Sequence, residues 1–441
     1  MTPEAQSKKE GGFFYGWWIV IGGLLIMATC YTIFVNCLPL FQAHIVEDLN
    51  VTVAQYNTGT SLTTIVAMFA SLVIGKLVDK VSAKVLGAVS VITSAVVLIC
   101  LSMIQNIWQF YICCIVAGLI VVSGTRLLIS VVVSNWFDAK RSLAVSIALC
   151  GSGIGGVVLS PTVSAIIATT GWRWAFVVLA VITLVVALPI VLIKYHSHPS
   201  DIGLEPYGAG QVEEEGPDTS PDKPVTVDIG LGRVVKNAGF WMVVIGFVAM
   251  GLVNGAVLGN SVSNMTSMTV NGVEHVTGGH STTWAGNVWS FYLAVVIFAK
   301  VGLGAIYDKW GMAVGTIAGT VASCIACVCL MFPTTDWGPI LACGFFGFAT
   351  CMGTVAPPVM VTKEFGMKDL GTITGIVTAF EMLGAAVGSI VSGLFFDAYF
   401  TFAPAWIMCL IASIVMGVTL LVSIPLSRRL VEKVSAEQAA A

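Results

Sequence analysis

Twelve runs of predominantly apolar residues, each about 20 residues or longer and separated by short polar connections, constrain this chain more than any other feature. A helix needs ~20 apolar residues to cross ~30 Å of hydrocarbon, so the runs predict membrane spans. The first six cover residues 15–43, 53–78, 83–103, 107–136, 142–169 and 172–193. The second six cover 240–270, 282–307, 312–332, 338–361, 370–396 and 402–425. Composition agrees: 57% of residues are apolar and 10% charged, whereas soluble domains carry about 25% charge. An ordinary soluble enzyme is excluded. The formal net charge is -3 and no basic run marks a nucleic-acid partner. All 12 Cys fall in apolar stretches, where Cys acts as a small hydrophobe, so no disulfide framework and no metal site is expected, the Cys324/Cys327 spacing included. The stretch after the polar N-terminus is far longer than a signal-peptide core and is expected to be kept as the first span.

Between the two sets, the polar segment carries five Pro residues, from Pro199 to Pro224, and the cluster Glu213, Glu214 and Glu215. Such a composition buries too little apolar surface to fold alone. The expected organisation is therefore an N-terminal six-helix half over 1–194, a cytoplasmic linker over 195–236, a C-terminal six-helix half over 237–430 and a cytoplasmic tail over 431–441. Orientation follows from the retention of Lys and Arg on the cytoplasmic side. With both termini inside, 17 of the 20 basic residues fall on the cytoplasmic face and only Arg173 outside. Arg126 and Lys300 remain within spans. The expectation is a multi-pass protein of the cell membrane, a monomer surrounded by lipid.

The halves repeat at the level of their loops. Gly75, Asp79 and Lys80 follow the second span, and Gly304, Asp308 and Lys309 follow the eighth at the same spacing. A Gly at a helix end, an acid four residues on and a Lys allow close helix approach while the carboxylate caps a neighbouring helix. These six residues are the candidate conformational motif. On this motif, doubled across two six-span halves, the chain resembles the major facilitator superfamily, and the resemblance covers essentially its whole length. It implies an all-α polytopic membrane protein of twelve transmembrane helices in two six-helix halves, the major facilitator fold. Asn135-Trp-Phe-Asp-Ala-Lys-Arg-Ser-Leu-Ala144, the glycines Gly151, Gly153, Gly155 and Gly156, Pro161, and Gly171-Trp-Arg-Trp-Ala-Phe176 resemble the oxalate/formate antiporter and monocarboxylate porter branch. The glycines predict tight packing of the fifth span.

Three ionisable side chains remain inside the spans: Arg126 on the fourth, Lys300 on the eighth and Glu381 on the eleventh. Each costs roughly 2.5 to 3.5 kcal/mol at a helix centre, so they are expected to face one another, water or a ligand. Counted from Trp136, Asp308 and Asp369 at 1.5 Å per residue, they lie roughly 12 to 18 Å from the cytoplasmic face. Two-half transporters bind ligand at that level. The competing readings are snorkelling of Lys300 or Arg126 to the interface and, for Glu381, a structural ion pair with Lys300. The resemblance implies a basic residue four positions before the motif Gly of the eighth span, where Lys300 stands. It also implies a Lys on the eleventh span where Thr378 to Glu381 lie here, and a first-span Lys whose place is taken by Val35 or Asn36.

Helical spacing adds wall candidates: Trp289 and Tyr292 with Lys300, Thr378 with Glu381, Tyr31 and Asn36 on the first span, and Asn254 and Asn260 on the seventh. Hydrogen bonding between helices is the competing reading for each. The expected function is secondary transport of a small organic anion, foremost a monocarboxylate, by alternating access with proton symport or anion exchange. Glu381 is the candidate proton-coupling residue. A transporter of a neutral or zwitterionic metabolite and a nontransporting receptor are the alternatives. No catalytic residue and no cofactor is expected: the five His lie in loops or at span ends, and the chain has no phosphate-binding loop.

Overall fold

A computed structural model describes residues 14–78, 81–138, 140–208, 229–270, 272–366 and 369–439. Among the described residues, ten helices are long and apolar enough to cross a membrane. In the first half they are Gly16–Leu49, Ala83–Ser102, Leu143–Thr170 and Trp172–Lys194, which form spans 1, 3, 5 and 6. In the second half they are Ala238–Met265, Thr282–Tyr307, Lys309–Leu330, Trp337–Phe365, Leu370–Tyr399 and Ala403–Ser435, spans 7 to 12. Span 2, Val53–Val78, is less apolar because Thr58, Thr60, Ser61, Thr63 and Thr64 lie on it. Span 4 is composite: Ile107–Val116 passes through the wide π-helical turns Ala117–Val122 into Ser123–Trp136. The molecule is a polytopic helical membrane protein.

Three departures from the sequence expectation are local. Helix was expected to run to residue 270, but span 7 ends at Met265 and a hairpin follows, β1 Ser267–Val270 paired with β2 Val273–Val276. The β-branched residues and the Asn271-Gly272 pair, with Gly272 at φ 76°, favour a hairpin over helix. Span 12 continues as helix through Ala439, past Pro425 and through most of the expected tail. Spans 8 and 9 join at Gly311, whose φ of 86° lies where only Gly sits without strain.

The internal repeat extends to the backbone. Lys140 before span 5 and Asp369 before span 11 both adopt left-handed conformation, at φ 59° and 56°. In the first half, a Cβ at Gly151 or Gly155 of span 5 would overlap the Leu24 or Ala28 carbonyl of span 1. In the second half, a Cβ at Gly251 or Gly255 of span 7 would overlap the Glu381 or Ala385 carbonyl of span 11. Spans 1 and 5, and spans 7 and 11, thus make backbone contact, as the glycine pattern predicted for span 5.

Where the obstacle is a fixed carbonyl, an added methyl is destabilising beyond the usual overpacking cost of about 1–3 kcal/mol. Gly255→Ala is therefore expected to lower the thermal unfolding midpoint in detergent markedly. Gly302→Ala, with nothing within 4 Å of its Cβ, is expected to leave it unchanged or raise it, because Ala is favoured in helix by up to about 1 kcal/mol.

The two halves meet most closely at the face where spans 1 and 2 join, here the far face; the start of span 1 and the end of span 12 lie at the terminal face. Hydrogen bonds join the halves in the far-face part of the bundle. Asn57 Nδ2 donates to Asn260 Oδ1 at 2.9 Å and to the Ser389 carbonyl at 2.8 Å. Gln42 Nε2 donates to Asn260 Oδ1 at 3.1 Å, and Ser263 Oγ donates to Gln42 Oε1. The Asp397 carboxylate accepts from the Val53 and Ala54 amides at 2.9 and 3.0 Å, capping span 2 from span 11. Toward the terminal face, Gly302, Gly304, Gly371 and Gly375 border open space. Among the described residues the halves are joined at the far face, and free space borders these glycines toward the terminal face.

Candidate functional site

Span 4 leaves its π-helical turns at Ser123 and presents Arg126, which is exposed at mid-depth. An extra residue per turn re-aims side chains, and π-bulges concentrate at functional sites. Across the interface, span 11 presents Glu381, and the Arg126 guanidinium is an electrostatic neighbour of its carboxylate. The Asn254 amide of span 7 donates to that carboxylate while its Oδ1 accepts from Thr350 Oγ1 of span 10 at 3.0 Å. The carboxylate seats against Gly353, where any Cβ would overlap Oε1. Four helices from both halves thus meet at one acid.

Lys300 on span 8 is half-buried and lies within electrostatic reach of Cys351, next to Thr350 in the chain. Two turns along the same span, Tyr292 is buried, stacked on Trp289 at 4.5 Å and on Phe346 at 5.5 Å. It lies within reach of Thr350, Cys351 and Tyr31. Neighbouring groups thus link Arg126, Glu381 and Asn254 on one side with Lys300, Cys351, Tyr292 and Tyr31 on the other, and Thr350 stands between the two sets. Neither Arg126 nor Lys300 has an ion pair within 4.0 Å to a described residue. The alternative of a tight Lys300–Glu381 pair is not what the structure contains, because the cation facing Glu381 is Arg126.

The remaining candidates are placed differently. Asn260 is fully buried in the far-face seam: its Oδ1 accepts from Gln42 and Asn57, and its Nδ2 donates to Ser392 Oγ at 2.7 Å and to the Ala256 carbonyl. An amide so engaged joins helices and has no capacity left for a guest, so its assignment to the chamber wall is corrected. Asn36 and Trp289 are likewise engaged, Asn36 Nδ2 with the Ser152 carbonyl and Trp289 Nε1 with the Asn36 carbonyl at 2.8 Å. They brace the wall behind Tyr292. Thr378 is half-buried on span 11, one turn from Glu381 toward the terminal face.

Of the conformational motif, Asp79 and Lys80 lie outside the described residues, as do the surroundings of Gly75 and the side chain of Asp308. Lys309 Nζ lies over the Trp310 ring at 5.3 Å, and Gly304 borders open space.

Sequence reasoning missed Gln42, Asn57, Ser389 and Asp397 of the seam. Amides at 42 and 57 near the ends of two apolar runs were the available signal. It also grouped Glu364 with the acids in loops or at helix ends. That residue sits at the end of span 10 but is only 3% exposed, and accepts from Ser423 and Ser427 Oγ of span 12 at 2.8 and 2.9 Å.

Comparison with known proteins agrees with this architecture. The sequence pattern of the Major Facilitator Superfamily matches residues 23–314 and 279–440. The chain is 21% identical to monocarboxylate transporter 1 of Homo sapiens, covering 98% of this chain and 89% of that protein. It is 22% identical to monocarboxylate transporter 11 of Mus musculus, with 93% and 87% covered. With the MFS transporter asaE of Aspergillus flavus the identity is also 22%, over 89% and 82%. Among solved structures, the nucleoside transporter NupG superposes with a TM-score of 0.68 at 14% identity, covering 93% of this chain and 99% of that one. A bacterial homologue of the lysosomal transporter Spinster, inward-facing and occupied, gives 0.65 at 14% identity, over 96% and 98%. The chain belongs to the Major Facilitator Superfamily of membrane transporters.

Proposed function

We propose that this transporter moves a small organic monoanion, foremost a monocarboxylate, by rocking of two six-helix halves, 1–194 and 237–430, about the chamber between them. The observation that carries this reading is the position of Arg126, a first-half cation in an open chamber facing the Glu381 carboxylate of the second half. With Lys300 the three groups sum to one positive charge, which suits a monoanion. Protonation of Glu381 raises the sum by one and strengthens anion binding. Glu381 and the guest therefore compete for Arg126, and a proton on Glu381 favours the guest. The similarity to monocarboxylate transporters over most of the chain, at 21–22% identity, supports the substrate class.

With the termini cytoplasmic, as the basic residues argue, the structure corresponds to the inward-open state. The residues after Val78 and Tyr307 then form the cytoplasmic hinge motif. An inside-negative potential opposes uptake of one anion by ~2.3 kcal/mol per 100 mV, so uptake requires a co-transported proton or an exchanged anion. A second reading is favoured by the same carboxylate: with Arg126 it offers both signs of charge to a zwitterionic guest.

In proteoliposomes, wild-type anion uptake is expected to rise as external pH falls. Glu381→Gln fixes the neutral side chain, so counterflow of anion is expected to persist while its pH dependence flattens. A Glu381→Gln protein with the wild-type pH profile removes the coupling role. Binding of zwitterions in preference to monoanions selects the second reading.

A further inference from the structure

A cavity of about 120 Å³ lies between spans 1, 2, 7 and 11, lined among others by Val35, Thr64, Leu258, Ala385 and Ser389. Three of its walls continue the helix faces of the chamber. Val35 stands four residues beyond Tyr31, Leu258 four beyond Asn254, and Ala385 four beyond Glu381. At 1.5 Å per residue this is about 6 Å nearer the far face. The cavity thus lies one helical turn beyond the level of Tyr31, Asn254 and Glu381, beneath the Asn57–Ser389 seam.

Its chemistry differs from that of the charged level. The Thr and Ser hydroxyls along span 2 are already engaged with carbonyls: Thr60 with Asn57, Ser61 with Ala386, Thr63 with Cys114 and Thr64 with Thr60. Of the hydroxyls that line this cavity, that of Ser389 is the one buried without a hydrogen-bond partner among the described residues. A guest in this space meets mainly the apolar side chains of Phe34, Val35, Leu38 and Leu258, beside hydroxyls already engaged but for Ser389, and no charged side chain lines it. An apolar cavity of roughly 150 Å³ accepts benzene, so the space takes an alkyl group of about four or five carbons.

We propose that this cavity is the subsite for the body of the guest, and that it selects monocarboxylates with a compact branched alkyl chain over smaller ones. The inference rests on the anion reading of Arg126 given above. Anchored at Arg126, a carboxylate directs its chain toward the far face, where Val35 and Leu258 form the sides and Ser389 the roof. Shorter acids leave the space unfilled and forgo about fourfold in affinity per missing methylene.

The test uses the full chain in proteoliposomes, with counterflow of acetate and of 3-methylbutanoate. Wild type is expected to prefer 3-methylbutanoate at least tenfold. Val35→Phe, which fills the cavity, is expected to abolish that preference by lowering 3-methylbutanoate counterflow at least tenfold more than acetate counterflow. Val35→Ala, which enlarges it without threatening the fold, is expected to shift the preference to an acid one or two carbons longer. Equal affinities in wild type, or parallel changes for both acids in Val35→Phe and none in Val35→Ala, overturn the subsite. If acetate is carried and 3-methylbutanoate is not, the subsite alone fails. If neither anion is carried while another solute is, the anion reading has failed and the subsite falls with it.

Discussion

Arg126→Gln is expected to weaken carboxylate binding on the order of a hundredfold, the largest loss of any single change in the chamber. In the structure Arg126 is exposed, and on closure around a guest its guanidinium is expected to be desolvated with its partner. Removing one member of such a pair leaves the other charge buried alone. Arg also presents a planar fork that meets both oxygens of a carboxylate, so Arg126→Lys is expected to recover only part of the affinity. Lys300→Gln is expected to cost less, because Lys300 stands beside Cys351 and acts through the summed potential. The measurement is ligand-induced thermal stabilisation of purified protein across a series of anions, with unliganded unfolding as the control for folding. Because Arg126 faces Glu381 across the interface, Arg126→Gln with Glu381→Gln is expected to be non-additive, as for groups in direct interaction. Stabilisation by anions that persists unchanged in Arg126→Gln removes the binding assignment.

The spans and the three intramembrane charges were legible because both depend on composition along the chain. Hydrocarbon imposes length on the apolar runs, and it makes Arg126, Lys300 and Glu381 conspicuous at the cost of placing each one there. The seam was not legible, because it is made by residues far apart in sequence: Asn57 meets Asn260 at a separation of 203 residues and Ser389 at 332. Helix geometry held one unused distinction. Residues 254 and 260 are six apart, about 240° around a helix, so Asn254 and Asn260 could not share one face. The structure places the first at Glu381 and the second in the seam. The π-helical turns of spans 1 and 4 and the Gly353 seat of Glu381 follow from packing between helices, which no local pattern encodes.

Asn260→Leu is expected to shift the conformational equilibrium away from far-face closure by thirtyfold or more. In the closed state its amide gives or receives hydrogen bonds with Gln42, Asn57 and Ser392, all buried. A leucine leaves those polar groups facing apolar surface, and each unsatisfied buried group costs about 1–3 kcal/mol. When the far face opens, water meets the same groups, so the penalty falls on the closed state alone. Two such penalties, about 2–6 kcal/mol, suffice to reverse a two-state population. Hydrogen exchange by mass spectrometry is expected to show faster exchange at the far-face ends of spans 1, 2, 7 and 11, with new protection at the terminal-face ends of spans 4, 5, 10 and 11. Faster exchange at both faces means that the seam serves only general stability. Asp397→Asn supplies the comparison: its carboxylate caps span 2 at the rim, where water reaches more readily, so a smaller shift in the same direction is expected. By linkage, a guest that binds more tightly when the terminal face is open must return far-face protection to Asn260→Leu. The concentration at which it does so reports the coupling between the Arg126 chamber and the seam.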